Sequence, residues 1–186
     1  MSYTETMPPP SVELKYPNIS FDIVWKRVNS GVLNKTGRNL LYLIAHERSW
    51  TKERGFRLNP NIYETPLCPK CHLYVHTQTH KYAQCQWIVA AWEFLRDIVN
   101  RVAPDLIFES DHNLLHLCFS PMQRDSAVVW LIGQYLEYVE KESILGNKRL
   151  LQAHISGWLS AKLLESRNIG MADLGHIPGL ETTGIG

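Results

Sequence analysis

The sequence predicts an all-α protein, a helical domain of about five to seven helices with one cysteine-histidine loop. Apolar residues recur at helical spacing in three long segments, near residues 84–102, 123–142 and 148–167. Apolar-polar alternation never lasts four residues outside segments that also satisfy helical spacing, so no strand is predicted. Three of the four cysteines and three of the eight histidines fall within residues 68–85, which places the loop just before the first long helix.

The chain divides into a leader, one domain and a tail. Residues 1–18 are polar and carry four prolines, so we expect a flexible leader. Residues 19–169 are predicted to form a single helical domain, because a chain of 186 residues is long enough to bury one core. Residues 170–186 are rich in glycine, and we expect a flexible tail.

Three short helices are predicted before residue 66, each from a capping residue and the amphipathic stripe that follows it. The capping residues are Ser20, Thr36 and Thr51. We expect the third helix to stop at Gly55, because glycine is common just past a helix end.

The long helices follow the cysteine-histidine loop. The first is predicted to begin at Gln84 and to end before Pro104, since proline cannot continue a helix. One or two helical turns are expected over residues 111–118, and a turn at Gly146 separates the last two long helices. On the last helix His154 falls on the apolar side, where we expect a buried histidine.

Composition and charge exclude several classes of protein. The formal net charge of +1 gives no overall basic or acidic signal, so any contact with nucleic acid must come from a local patch. No apolar run approaches the roughly 20 residues needed to cross a bilayer, and the N-terminus lacks the basic start and apolar centre of a signal peptide. We therefore expect an intracellular protein, nuclear or cytoplasmic with the nucleus slightly favoured, that uses no membrane and no small-molecule substrate.

Cys68, Cys71, His80 and Cys85 form the pattern C-x2-C-x8-H-x4-C. Zinc prefers a tetrahedron of thiolate and imidazole ligands, and a closed set of four protein ligands marks a structural site. A Cys-x-x-Cys turn presents two sulfur atoms from one loop, and the x4 gap places the other two ligands about one helical turn apart. The pattern predicts one structural Zn²⁺, which is not expected to be catalytic because no ligand position is left for water.

Several short segments around this pattern recur together in one known family. They are Trp25, Gly31-Val-Leu33, Arg38 through His46, Thr51 through Arg54, Leu67 through Cys71, Thr79-His80, Cys85 and Trp92. In these segments the chain resembles the zinc-binding region that follows the reverse transcriptase domain of non-LTR (LINE-type) retrotransposons, over roughly residues 20–170. In that family the region is thought to contact template RNA or target DNA, so the resemblance implies nucleic-acid binding.

Two features depart from the family pattern. The stretch before the ligand histidine is usually acidic, but here it is Val75-His76-Thr77-Gln78-Thr79, which makes His76 a competitor of His80 for the fourth ligand position. The family's catalytic aspartates are not present, because the chain starts where a polymerase would already have ended. Both a fragment of such an element and a stand-alone protein descended from its tail would lack these aspartates.

No enzyme motif is complete. Some LINE relatives carry a restriction-like endonuclease, whose P-D…(D/E)-x-K motif could begin at Pro104-Asp105. None of the later lysines has an acidic residue two positions before it. The residues two positions before Lys141, Lys148 and Lys162 are Val139, Gly146 and Ser160. There is no Gly-x-Ser-x-Gly motif and no glycine-rich phosphate loop. We therefore predict a non-enzymatic protein.

Other cysteine and histidine residues carry a weaker signal. Cys118 lies on an apolar face and is expected to be a small core residue. His112 and His116 are four residues apart on a predicted helix and could bind a metal, but they have no acidic partner in a known zinc motif, so no second site is predicted.

A local basic segment agrees with the implied nucleic-acid binding. Residues 26–57 hold eight positive charges against two acids, with Trp50, Phe56 and Tyr63 nearby. Cations bind phosphates, and aromatic rings stack on unpaired bases. The predicted contacts are Arg38, Arg48, Lys52, Arg54, Arg57, Lys70 and Lys81. One alternative is that these cations lie on solvated helix faces and that the aromatic residues belong to the core. A different function, a retroelement-derived protein-interaction adaptor, is favoured by the near-neutral net charge and by two long helices rich in tryptophan and tyrosine.

Overall fold

The computed structural model describes residues 20–108, 110–119, 123–145, 152–168 and 180. The predicted leader, the predicted turn at Gly146 and nearly all of the predicted tail lie outside these residues.

Within the described residues the protein consists of seven α-helices and one π-helix, which confirms the all-α prediction. The helices are α1 (Phe21–Val28), α2 (Lys35–Ala45), α3 (Lys52–Leu58), the π-helix (His80–Gln84), α4 (Val89–Val102), α5 (Asp111–Leu115), α6 (Asp125–Leu145) and α7 (Gln152–Asn168). The extended pairing in this part of the chain is one antiparallel bridge, between Leu67 and Val75. No described helix combines the length and apolar character that a membrane span requires.

The caps of the short helices differ in part from the prediction. Thr51 caps α3 as expected, because its hydroxyl accepts a hydrogen bond from the N–H of Arg54 at 3.2 Å. The cap of α2 is Asn34 and not Thr36: the Asn34 Oδ1 accepts from the N–H of Gly37 at 2.8 Å, and the helix begins two residues earlier than predicted. Ser20 precedes α1, but its side chain makes no capping hydrogen bond.

Gly55 lies inside α3, although the sequence predicted that the helix would stop there. A Cβ at this position would lie 3.0 Å from the ring of Tyr63 and 3.1 Å from the ring of Trp50. The absence of a side chain therefore lets α3 approach these two rings closely, and the packing outweighs the weak helix propensity of glycine.

The first long helix begins later than predicted. The chain first forms the π-helix, then turns extended at Cys85 (φ −65°, ψ 135°), and α4 starts at Val89. Apolar periodicity is continuous across this break, so the sequence pattern alone does not reveal it. The end of α4 at Val102, before Pro104, is as predicted.

Helix α6 forms the centre of the domain. It packs against α1, α2, α4 and α7, and every residue from 127 to 136 is buried. The sequence predicted one inward face, but a helix that is buried all round has no polar side. The other helices therefore surround α6 and position the loops between them.

Arg27 ties α1 to the start of α6. Its guanidinium is 3% exposed and binds the Asp125 carboxylate through Nε at 2.8 Å and Nη2 at 3.0 Å. Its Nη1 also donates to the carbonyl oxygens of Leu117 and Phe119 at 2.7 Å. Arg27 is thus part of the core, and does not add to the basic surface that the sequence suggested.

The histidine of α7 is also placed differently from the prediction. His154 is exposed, whereas Ile155 and Leu159 on the same helix are buried. Among the described residues of the predicted stripe, Ile155, Leu159 and Leu163 are buried as expected, whereas Leu150 and Leu151 lie outside the described residues.

Candidate metal centre

We name residues 68–85 the Cys/His segment. Four of its side chains converge on one point beneath the loop. Ligand atoms of Cys68, Cys71, His80 and Cys85 all lie within 4.8 Å of one another, and all four residues are buried. The sulfur atoms of Cys68 and Cys85 are 3.8 Å apart, and the sulfur of Cys71 lies 3.4 Å from Nε2 of His80. The structure therefore brings together the four residues that the spacing selected.

A tight turn presents the first two cysteines. The N–H of Cys68 donates to the carbonyl of Tyr74 at 2.8 Å, and the N–H of His72 donates to the carbonyl of Cys68 at 2.9 Å. His72 adopts a positive φ of 58°, which reverses the chain directly after Cys71. These bonds close the loop so that both sulfur atoms point to the same side.

The π-helix presents the other two ligands. The N–H of Cys85 donates to the carbonyl of His80 at 2.9 Å, an i→i+5 bond that closes a wider turn than an α-helix makes. This turn allows side chains five positions apart to converge on one point. The π-helix is itself fixed to α6, because the Tyr135 hydroxyl donates to the carbonyl of Tyr82 at 2.6 Å.

The donor set fits a tetrahedral zinc ion. Zinc–sulfur bonds of about 2.3 Å and zinc–nitrogen bonds of about 2.0–2.1 Å imply tetrahedron edges of about 3.8 Å between two sulfurs and about 3.6 Å between sulfur and nitrogen. The separations of 3.8 Å and 3.4 Å match these edges. Closed four-ligand sites of this type are structural, and zinc bound here would hold the loop to the π-helix.

The electrostatics of the cluster favour a bound cation. Burial, together with the neighbouring sulfurs of Cys68 and Cys71, raises the pKa of Cys85 to about 12. Burial alone would raise the pKa of Cys71, but backbone N–H groups of Leu73 and Tyr74 outweigh it and the net shift is downward. Burial also lowers the pKa of His80, so its imidazole is neutral at pH 7 and can act as a ligand. Three buried thiolates repel one another unless a positive ion sits between them.

His76, the competitor for the fourth ligand position, belongs to a different contact. It is buried, and its Nδ1 accepts a hydrogen bond from the backbone N–H of Lys52 at 2.9 Å. Burial lowers its pKa to about 4, with the positive charges of Lys81 and Lys52 acting in the same direction. The structure thus brings His80, and not His76, to the three cysteines.

The Cys/His segment also holds the start of α3. Besides the bond from Lys52 to His76, the hydroxyl of Ser49 donates to Oε1 of Gln78 at 2.7 Å. The ammonium of Lys81 donates to the carbonyl of Trp50 at 3.2 Å. The chain from 49 to 52 is therefore positioned by residues that lie between the second and fourth metal ligands.

The seven predicted nucleic-acid contacts differ in exposure. Arg38, Arg48 and Arg57 are exposed, and Lys52, Arg54 and Lys70 are half-buried. Lys81 departs from the prediction: its side chain is 12% exposed, and its ammonium forms an ion pair with Glu140 of α6 at 2.6 Å. Lys81 is therefore not available on an exposed basic surface, because Glu140 already supplies its counter-charge.

Three of these cations belong to α3, and two aromatic residues, Trp50 and Tyr63, lie just before and just after the helix. We name Trp50, Lys52, Arg54, Arg57 and Tyr63 the α3 surface. Trp50 is 51% exposed and its ring lies 5.4 Å from that of Tyr63, edge to face. The ammonium of Lys52 lies 5.5 Å from the centre of the Tyr63 ring. One acid shares the helix, since Glu53 lies 3.5 Å from the guanidinium of Arg57; an exposed pair of this kind is weak.

A second cluster of metal-ligating residue types joins two distant parts of the chain. Ligand atoms of Glu47, His112 and His116 lie within 4.8 Å of one another. The sequence suggested the histidine pair but not Glu47, because the contact connects positions more than sixty residues apart. The two imidazole rings are stacked at 3.8 Å with 15° between their planes. Nitrogen lone pairs lie in the ring plane, so two nearly parallel rings do not aim at one ion, and we assign no metal here.

Comparison with protein families, with curated proteins and with solved structures finds no match. The relation to LINE-type reverse transcriptases stays a prediction from the resemblance.

Proposed function

We propose that Cys68, Cys71, His80 and Cys85 bind one structural Zn²⁺ that fixes the Cys/His segment, and that the helical module binds nucleic acid through the α3 surface. The observation that carries the first part is the match between the ligand separations of 3.8 Å and 3.4 Å and the edges of a zinc tetrahedron. The metal supplies folding energy and no catalysis, because the protein fills all four ligand positions.

The second part is supported by the link between the metal centre and α3. Residues 76–81 of the Cys/His segment make three hydrogen bonds to residues 49–52, so the ion would fix the orientation of the α3 surface. That surface combines cations with an exposed indole, which suits a phosphate backbone with unpaired bases. A kinship with the zinc-binding region of LINE-type reverse transcriptases is part of this proposal and agrees with the residues that carry the resemblance.

The metal is tested by elemental analysis of the purified protein. We expect one zinc per chain in the wild type, in Cys118→Ser and in His76→Asn, since neither of these side chains belongs to the cluster. We expect Cys85→Ser to lose the ion, because a hydroxyl is a poor zinc ligand. A wild-type protein without metal, or full zinc content in Cys85→Ser, would contradict the proposal.

Nucleic-acid binding is tested by fluorescence anisotropy with labelled single-stranded RNA and DNA at several salt concentrations. We expect the affinity to fall steeply with salt, and Arg54→Glu with Arg57→Glu to weaken it by about tenfold or more. Arg101→Glu, at an exposed position on α4, is the matched control and should bind like the wild type. The absence of any binding at low salt contradicts this part of the proposal.

A protein-interaction adaptor is the second candidate function. The observation that favours it is the apolar tip of the Cys/His segment, where Leu73 and Tyr74 are each 65% exposed. A protein partner would be expected to cover large apolar side chains of this kind. Failure to bind nucleic acid at low salt, together with intact zinc content, would favour this candidate.

A further inference from the structure

A cleft of about 390 Å³ lies between α1 and α2, away from the residues assigned to nucleic-acid binding on α3. Its lining includes Trp25, Asn29, Lys35, Arg38, Asn39 and Tyr42. The volume falls within the roughly 300–1,000 Å³ that is usual for small-ligand sites. Aromatic residues line one side of the cleft and basic residues line the other. Each side indicates one chemical group of a single ligand.

The aromatic side is built from packed rings. Trp25 lies 5.7 Å from Tyr42, edge to face, and 5.8 Å from Phe21, yet 40% of its side chain is exposed. The amide of Asn29 donates to the carbonyl of Trp25 at 3.0 Å, which helps to fix the end of α1. A held indole with an open side can stack on a planar ligand without first losing side-chain freedom.

The basic side comes from the first turns of α2. Lys35 and Arg38 are both exposed, and among the described residues that line the cleft none is acidic. A neighbouring polar cleft differs, because Glu47 and Glu53 line it together with Arg54 and Arg57. Uncompensated positive charge beside an aromatic platform favours a planar group that carries an anion.

We infer that this cleft binds one unpaired nucleobase together with its neighbouring phosphate, in a single strand of RNA or DNA. The base stacks on Trp25, and the phosphate is bound by Lys35 and Arg38. The inference rests on the proposed function and specifies it: the ligand is single-stranded, and the chain holds it at a second place besides the α3 surface. RNA and DNA share the chemistry of base and phosphate, and the experiment compares them.

The test measures the binding of labelled oligouridine and oligothymidine to the zinc-loaded full chain. Trp25→Ala should weaken binding by about five- to a hundredfold, the effect of losing one stacked base, whereas Trp25→Phe should keep most of it. Arg38→Ala should lower the slope of log affinity against log salt by about 0.7, the loss of one contact to a single strand. Leu43→Ala is the matched control for Trp25→Ala, because Leu43 is a partly exposed apolar residue that lies on α2 and does not line the cleft.

Photocrosslinking gives a readout that does not depend on stability. An oligonucleotide with 5-iodouridine should crosslink to Trp25 or Tyr42, identified by mass spectrometry of the digested complex. If circular dichroism shows that Trp25→Ala does not fold, the inference is tested by the crosslink and by the salt slope of Arg38→Ala.

The outcomes separate this inference from the proposed function. Crosslinks confined to residues 50–63, with wild-type affinity in Trp25→Ala, overturn the inference and leave the α3 surface as the binding site. Wild-type protein that binds neither oligonucleotide at low salt overturns both. Equal losses for oligouridine and oligothymidine support a site that does not read the 2′-hydroxyl, and a larger loss for oligouridine assigns the cleft to RNA.

Discussion

At the scale of single residues, two histidines of one segment lie four positions apart and have different surroundings. The Nε2 of His80 lies 3.4 Å from the sulfur of Cys71, whereas the Nδ1 of His76 accepts the N–H of Lys52. Only a neutral imidazole can accept at Nδ1, and burial lowers the pKa of His76 to about 4. The protonation of His76 is therefore coupled to the packing of α3.

This coupling predicts a pH dependence of stability. The unfolded chain binds a proton at His76 near pH 6.5, and the folded chain near pH 4, so the unfolded state binds more protons in between. The contribution is fully present above about pH 6.5 and is lost as the pH falls toward 4. His76→Asn keeps an acceptor but does not titrate, so the wild type should lose about 2 kcal/mol more stability than the variant between pH 7 and 5.

Denaturant unfolding of the zinc-saturated proteins at both pH values measures this difference. His72→Asn is the control, because His72 is exposed and asparagine tolerates its positive φ. Equal losses in the wild type and in His76→Asn would contradict the assignment.

The sequence was informative about residues whose partners lie close along the chain. The spacing of Cys68, Cys71, His80 and Cys85 identified the four side chains that meet, because short loops and a single turn limit their possible positions. No sequence pattern indicates that Arg27 pairs with Asp125, since that contact joins positions 98 residues apart. Side chains of one type look alike in a sequence, and only the fold separates a buried arginine from an exposed one.

At the scale of secondary-structure elements, close approach of α6 to the turn before α2 depends on glycine. A Cβ on Gly133 would lie 2.4 Å from a terminal methyl group of Leu33, which is 2% exposed. The same methyl group lies 3.5 Å from the Cβ position of Gly37, so Leu33 has little room to move away. The missing side chains therefore allow Leu33 to insert between α2 and the central helix.

A pair of glycine substitutions tests this packing. Gly133→Ala should destabilise the protein by about 1–2 kcal/mol, because overpacking outweighs the gain in helix propensity. Gly157→Ala on α7 should stabilise it by about 0.5–1 kcal/mol, since no heavy atom lies within 4 Å of the new Cβ. Thermal melts of the two variants measure both effects, and a Gly133→Ala protein at least as stable as the wild type would show that α6 does not approach Leu33 so closely.

The long helices were predictable as elements, and their boundaries were less so. Apolar periodicity predicted α4, α6 and α7, because each helix buries a continuous stripe of apolar side chains and α6 is buried on all sides over part of its length. It placed the start of α4 too early, because the π-helix and the extended Cys85 interrupt the helix without interrupting the apolar periodicity. The convergence of the four cysteine and histidine side chains and close packing thus accompany the details that local patterns leave open.

At the scale of the whole molecule, the candidate metal centre brings together two parts that are attached to the core to different degrees. The π-helix carries His80 and Cys85 and is anchored to α6 through Tyr135 and Glu140. The turn that carries Cys68 and Cys71 is followed by exposed residues 72–75, which bury little apolar surface of their own. A bound ion would therefore hold the outer loop to a half-site that the core already supports.

This difference predicts a local and not a global effect of metal removal. After chelation we expect amide hydrogen exchange to speed up in residues 66–76 and in α3, because the loop loses its link to the π-helix and α3 loses its hydrogen bonds to that segment. Amides of α4 and α6 should stay protected, since the buried contacts around α6 do not involve the ion. The melting temperature should fall by about 2–4 °C for each ~1 kcal/mol of lost coupling.

Hydrogen exchange with mass spectrometry, with and without chelator, measures this pattern, and the Cys85→Ser variant should reproduce it without chelator. Unchanged exchange in α3 would break the proposed link between the metal and the α3 surface. Loss of protection throughout α6 would mean that zinc is needed for the fold as a whole.

Affinity for single-stranded nucleic acid should fall together with the protection of α3. A segment that is no longer held in place must lose conformational entropy when its cations bind the ligand, and this loss weakens binding. An affinity that survives metal removal while α3 becomes exposed would instead locate the main contacts on α1 and α2.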